Sequence, residues 1–117
     1  AGFPSPAEDH MELSLDLNQH LIKHPSATFY VYARGDSMVS AGILDGDMLI
    51  VDRSLEATND SIVVAVINGE FTVKSISKVN DELFLIPHNS SYDPIKVTEE
   101  MDFEIWGIVT HSIHPVQ

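Results

Sequence analysis

From Thr28 to the C-terminal end, apolar residues fall in short runs broken by Gly, Pro, Asn and Asp, a strand pattern rather than a helical one. Thr28-Phe29-Tyr30-Val31-Tyr32-Ala33 is aromatic and β-branched and reads as a strand that Gly35-Asp36 ends. Ser37-Met38-Val39 can start one helical turn before Gly42, and the Asp45-Gly46-Asp47 turn leads into a strand Met48–Val51. The strongest local signal is Ser61–Ile67, then Asn68-Gly69, then Glu70–Ile76. Asn-Gly between two apolar runs is the favoured two-residue hairpin loop, because both residues tolerate positive φ. That loop fixes the register: Ile67 faces Glu70, Ala65 faces Thr72, Val63 faces Lys74 and Ser61 faces Ile76. Leu83–Ile86, Ile95–Val97 and Phe103–Val109 supply further strands.

Before Thr28 the pattern differs. Residues 1–12 carry Pro4, Pro6 and three acids with no period, which predicts an extended, mobile arm over residues 1–14 ahead of a domain over 15–117. Asp16 offers a helix N-cap with Gln19 three residues on; Leu17 and Leu21 share a face, and Pro25 stops the helix after His24. The expected architecture is mainly β: strongly twisted, multi-stranded antiparallel sheets with one or two short helices.

Composition narrows the function. The 117 residues suffice for one domain with one core. Eighteen acidic against six basic residues give a net charge of −12, and Lys23, Arg34, Arg53, Lys74, Lys78 and Lys96 are scattered singly. Phosphate backbones repel such a chain, so direct nucleic-acid binding is not expected, and a partner would carry the chain to DNA. No apolar run has the length of a membrane span. The absence of cysteine rules out disulfides and thiolate chemistry and is compatible with the cytoplasm.

Two residues suggest chemistry. Ser37 follows Gly35-Asp36 at a tight turn, and Lys74 stands on the second hairpin strand among Val63, Ala65, Thr72 and Ile76. A serine hydroxyl is a weak nucleophile until a base takes its proton, and a desolvated, neutral lysine can do so. Lysine titrates near ~10.4 in water, and apolar surroundings lower that value toward the range in which a general base works. At the start of a helical turn, backbone N–H groups around Asp36 and Ser37 would hold an oxyanion. The plainer alternatives are a lysine snorkelling off a strand edge and a serine that only caps the turn. Ala1-Gly2, a pair of small residues, suits a scissile bond, and the three together point to a peptidase that cuts its own chain.

Gly35-Asp36-Ser37-Met38, the run Ile43–Asp52 and Asn68-Gly69-Glu70-Phe71-Thr72-Val73-Lys74 resemble the LexA/UmuD family of self-cleaving Ser–Lys peptidases. Phe3-Pro4-Ser5-Pro6, Leu15-Asp16-Leu17-Asn18 and His24–Thr28 are more similar to the UmuD branch than to the LexA repressors. The resemblance covers nearly the whole chain. It implies the twisted β fold of the LexA/UmuD C-terminal domain, a cytoplasmic homodimer, Ser37 as nucleophile, Lys74 as general base and cleavage at Ala1–Gly2. It further implies a precursor cut on a RecA filament bound to single-stranded DNA, and a product that joins a Y-family translesion polymerase in the SOS response. No cofactor is implied. The chain then corresponds to the processed form, with Ala1 either native or an addition. Where relatives often place a second basic residue after the lysine, this chain has Ser75, which should point to the opposite face. One rival is the cleavage and dimerisation domain of a LexA-like or prophage repressor. Another is a binding module whose dyad is structural.

Other groupings carry less. His20 and His24 have a metal-compatible spacing, as do His111 and His114 by proximity, but no third ligand is set by the sequence. Asp45, Asp47 and Asp52 lack the calcium-loop pattern and read as turn chemistry around Gly46. Trp106-Gly107 reads as packing.

Overall fold

The structure, a computed structural model, describes residues 14–117; the arm expected over 1–14 and the Ala1–Gly2 bond lie almost wholly outside the described residues. The fold is mainly β, as the pattern of short apolar runs implies. Seven antiparallel strands form a single sheet: β1 (Thr28–Tyr32), β2 (Met48–Asp52), β3 (Ile62–Ile67), β4 (Glu70–Val79), β5 (Glu82–Ile86), β6 (Ile95–Val97) and β7 (Phe103–Ile113), in the order β1-β2-β7-β3-β4-β5-β6. Where the sequence pattern suggested several sheets, β7 joins the β1–β2 and β3–β6 halves into one. It therefore runs to Ile113, beyond the expected Val109, since its far end pairs with β2.

The hairpin register holds from Ile67↔Glu70 to Ile62↔Ser75, with Asn68 and Gly69 at φ 49° and 85°. Past that point Ser61 is not a simple partner of Ile76: the Asp60 N–H donates to the Ile76 carbonyl and the Ile76 N–H to Ser61, with Asp60 at φ 73°. β3 is buried on both faces, which is why its sequence is apolar without alternation. Val64 packs with Leu49, Val51, Met38 and Ile43, whereas Val63 and Ala65 pack with Ile76, Leu85 and Ile108.

The helix is shorter than expected. Asp16 caps it, accepting the Gln19 N–H at 3.3 Å, but α1 spans only Leu17–Leu21 and buries none of its residues. It stops before Pro25 because His24 is drawn to the sheet, its Nδ1 lying 2.6 Å from Asp52 Oδ2. Pro25–Ala27 then forms a 3-10 turn. No helix among the described residues is long and apolar enough to cross a membrane.

β7 bulges twice, between the partners of Ile50/Val51 and of Val64/Ala65. Gly107 lies in this stretch, where a Cβ would stand 2.7 Å from Val51 Cγ1 and 3.2 Å from the Asp52 carbonyl. Backbone cannot yield as a side-chain tip does. Gly107→Ala is expected to destabilise the domain by about 1–3 kcal/mol, the usual range for overpacking. Urea unfolding checks this, and an unchanged midpoint would refute the tight approach of β2 and β7.

Candidate active site

Ser37 sits in the β1–β2 connection. Gly35, at φ 79°, turns the chain after β1, and its N–H donates to Asp45 Oδ1 at 2.7 Å. The helical turn beyond is a 3-10 turn, Val39–Ala41, closed by Gly42 in the left-handed conformation. Met38, rather than Ser37, occupies its N-cap position, and no side chain caps it. Ser37 is thus free of the capping role, and its hydroxyl is used elsewhere. The dipole argument for an oxyanion site also falls away, because the turn has three residues and begins after Ser37. The N–H groups of Asp36 and Ser37 nevertheless find no acceptor among the described residues.

Lys74 comes from the other half of the sheet and meets Ser37 there. Its Nζ lies 3.1 Å from Ser37 Oγ, 2.8 Å from Thr72 Oγ1 and 3.1 Å from the Val73 carbonyl. It faces Val63, which is wholly buried. No carboxylate pairs with it among the described residues. Burial without a counter-charge disfavours the ammonium form and pulls the Lys74 pKa below its ordinary 10.5. Ser75 turns the other way and is buried, as strand alternation requires. β5 pairs with β4 only from Ser75 onward, so Glu70–Lys74 is hydrogen-bonded on one side alone.

Both residues open onto a cleft of about 290 Å³ whose walls are apolar at Val31, Ala33, Ile43 and Val64. An arrangement of this kind can move a proton from hydroxyl to amine beside an apolar wall. Residues 1–110 match the family model described as Peptidase S24-like. The chain belongs to this family.

The S24-like chain is 44% identical, over 99% of its length, to a protein named MucA from Salmonella typhimurium, and spans 81% of that protein. It is 45% identical over 97% of its length to SamA from the LT2 strain of the same species, spanning 79% of it. A LexA repressor from Clostridium perfringens is 40% identical over 85% of the chain, which covers 49% of the repressor. The chain is a UmuD-like member of the self-cleaving serine peptidases.

The site also holds residues that no motif pointed to. His88, Asn89 and Tyr92, in the 87–94 connection between β5 and β6, bond to Asp36 and Ser37. These partners lie some fifty positions apart along the chain, and local pattern carries no sign of them. Four of the seven histidines and acids weighed as metal ligands are engaged in pairs: His24 with Asp52, and His114 Nδ1 with Asp47 Oδ1 at 2.7 Å. Among the described residues no three His, Cys, Asp or Glu gather. Trp106 is a packing residue: Phe29 and Phe71 meet it edge-on at 6.3 and 5.2 Å, and the Arg53 guanidinium lies 5.0 Å from its ring.

Proposed function

We propose that the chain belongs to a UmuD-like subunit of an SOS-induced, error-prone translesion polymerase, whose precursor cuts itself at the Ala1–Gly2 bond. The observation that carries the reading is the 3.1 Å contact between Lys74 Nζ and Ser37 Oγ in an apolar cleft. With the amine neutral, the hydroxyl donates across this contact. Lys74 takes the proton as Oγ attacks the Ala1 carbonyl, and the N–H groups of Asp36 and Ser37 hold the oxyanion. Collapse breaks the C–N bond, the Lys74 ammonium returns its proton to the departing Gly2 amine, and water then hydrolyses the ester on Ser37.

The biological setting follows the UmuD branch: a cytoplasmic homodimer, cleavage stimulated by a RecA filament on single-stranded DNA, and partnership with a Y-family polymerase. The net charge of −12 suits a subunit whose partner holds the DNA. The second reading, the C-terminal domain of a LexA-like repressor, is favoured by the 40% identity to a LexA repressor. The 44% and 45% identities to MucA and SamA extend over nearly the whole chain, against 40% over 85% of it for the repressor, which supports the polymerase subunit.

The test incubates a precursor, with its own residues ahead of Ala1, at alkaline pH beside its Ser37→Ala variant. A product beginning at Gly2 is expected only with the Ser37 hydroxyl present. A released piece of a few kilodaltons or less supports the polymerase subunit, and a whole domain supports the repressor. No cleavage, even with RecA filaments added, would leave a binding module.

A further inference from the structure

The 87–94 connection grips the nucleophile segment from behind. The Ser37 carbonyl accepts the His88 N–H at 2.8 Å, and the His88 carbonyl accepts the Ser40 N–H at 2.8 Å. The Asp36 carbonyl accepts Asn89 Nδ2 at 2.9 Å, and Asp36 Oδ1 accepts the Tyr92 hydroxyl at 2.6 Å. Asn89 is itself held, its Oδ1 receiving the Ser91 N–H at 2.9 Å and its carbonyl the Tyr92 N–H at 3.0 Å. None of residues 87–94 lines the cleft.

A trans peptide is planar, with its C=O and N–H pointing in opposite directions. The Asp36 carbonyl and the Ser37 N–H belong to the same plane. Pulling that carbonyl toward Asn89 aims the Ser37 N–H away from the connection, on the side where Ser37 meets the cleft. The same carbonyl also accepts the Val39 N–H at 3.2 Å, and the bond from Tyr92 holds the Asp36 side chain, so the Cα from which the plane swings is tied as well. We propose that Asn89 and Tyr92 are positioning residues for the self-cleavage reaction, setting the Asp36–Ser37 peptide plane so that its N–H receives the oxyanion. This rests on the peptidase reading given above. A donor fixed in advance is worth more than one that must reorient during the reaction. The bond from the Tyr92 phenol to the Asp36 carboxylate holds its pKa above the ordinary value, so it stays a donor further into alkaline pH than a free phenol does.

The experiment uses full-length precursor in wild-type, Ser37→Ala, Asn89→Ala and Tyr92→Phe forms, with self-cleavage followed across pH and the melting temperature measured beside it. Asn89→Ala is expected to slow cleavage about 10- to 100-fold and Tyr92→Phe several-fold, below the full loss of an oxyanion donor because the N–H remains but is no longer held. The pH at which the rate levels off should not move, because Lys74 is untouched. A peptide aldehyde ending in alanine, which adds to Ser37 as a tetrahedral adduct, should lose affinity by a similar factor in both variants. The matching peptide alcohol, which forms no oxyanion, should bind all forms alike. Tyr92→Phe removes one exposed hydroxyl and keeps the test valid if Asn89→Ala fails to fold. Wild-type rates in both variants would overturn the positioning role, as would a loss that tracks melting temperature or weakens aldehyde and alcohol equally. If wild-type precursor itself is not cut, the peptidase reading falls and the positioning role with it.

Discussion

A precursor carrying Lys74→Met is expected to stop cutting itself, with a rate loss of at least about 10⁴-fold, while its fold is kept or slightly strengthened. The rate loss follows from the dyad acting as a unit, since a serine without its base is hardly nucleophilic near neutrality. The fold is kept because methionine fills similar space against Val63 and does not ask for a charge to be desolvated there. Burial places the folded-state pKa of Lys74 below the 10.5 of the exposed group. Below both values the ammonium is carried in the native state and the burial penalty is present in full. Between them the unfolded chain binds the proton that the native chain has released, so this group's contribution to stability rises with pH through that window. Above 10.5 the penalty is gone. The variant should therefore lack this alkaline rise. Wild-type cleavage should climb about tenfold per pH unit and level off below 10.5. Cleavage that persists in Lys74→Met while still needing the Ser37 hydroxyl would sink the proposed base.

Asp47→Asn is expected to lower the melting temperature by more than about 10 °C, as the loss of a buried polar network does. Asp47 is wholly buried just before β2, and its carboxylate gathers the Leu44 N–H at 2.9 Å, the Ser112 hydroxyl at 2.9 Å and His114 Nδ1 at 2.7 Å. The Leu44 N–H is the leading cause that holds its pKa below the ordinary value, with Ser112 and His114 adding to it against the opposing effect of burial. An amide offers one acceptor oxygen where the carboxylate offers two, and sets an NH₂ group against a donor. Because the folded pKa is the lower one, this contribution is intact above the unfolded value near 3.8 and is lost as pH falls through the folded value. Thermal melts from pH 7 down to acid should converge for wild type and variant. An unchanged melting temperature at pH 7 would show that the turn and the end of β7 hold without this anion.

What could be read in the sequence was whatever the backbone decides over a few residues. Asn68-Gly69 permits one short turn, so the sequence alone places Lys74 opposite Val63. The apolar run of β3 announced a strand but not that Val63 and Val64 serve two different clusters. Asp16 was legible as a cap because the N–H it accepts, that of Gln19, is three residues away, whereas the end of α1 was misjudged because His24 answers to Asp52, twenty-eight positions on. Asp47 read as turn chemistry, and it does hold the turn at Leu44; its burial under Ser112 and His114 depends on where β7 runs. The pairing of Ser37 with Lys74 was suggested by chemical need and family likeness. The contacts of Asn89 and Tyr92 with Asp36 had no such prompt, because side chains that orient a peptide plane leave no spacing rule behind.

β7 gives the molecule an order of events. Ser37 belongs to the half of the sheet made by β1 and β2, Lys74 to the half made by β3 through β6, and within the sheet only β7 pairs with both. Yet β7 is the last of the seven strands to leave the ribosome. A growing chain thus carries its serine and its lysine long before it can carry a peptidase. The proposed dyad waits for the strand that is made after the other six.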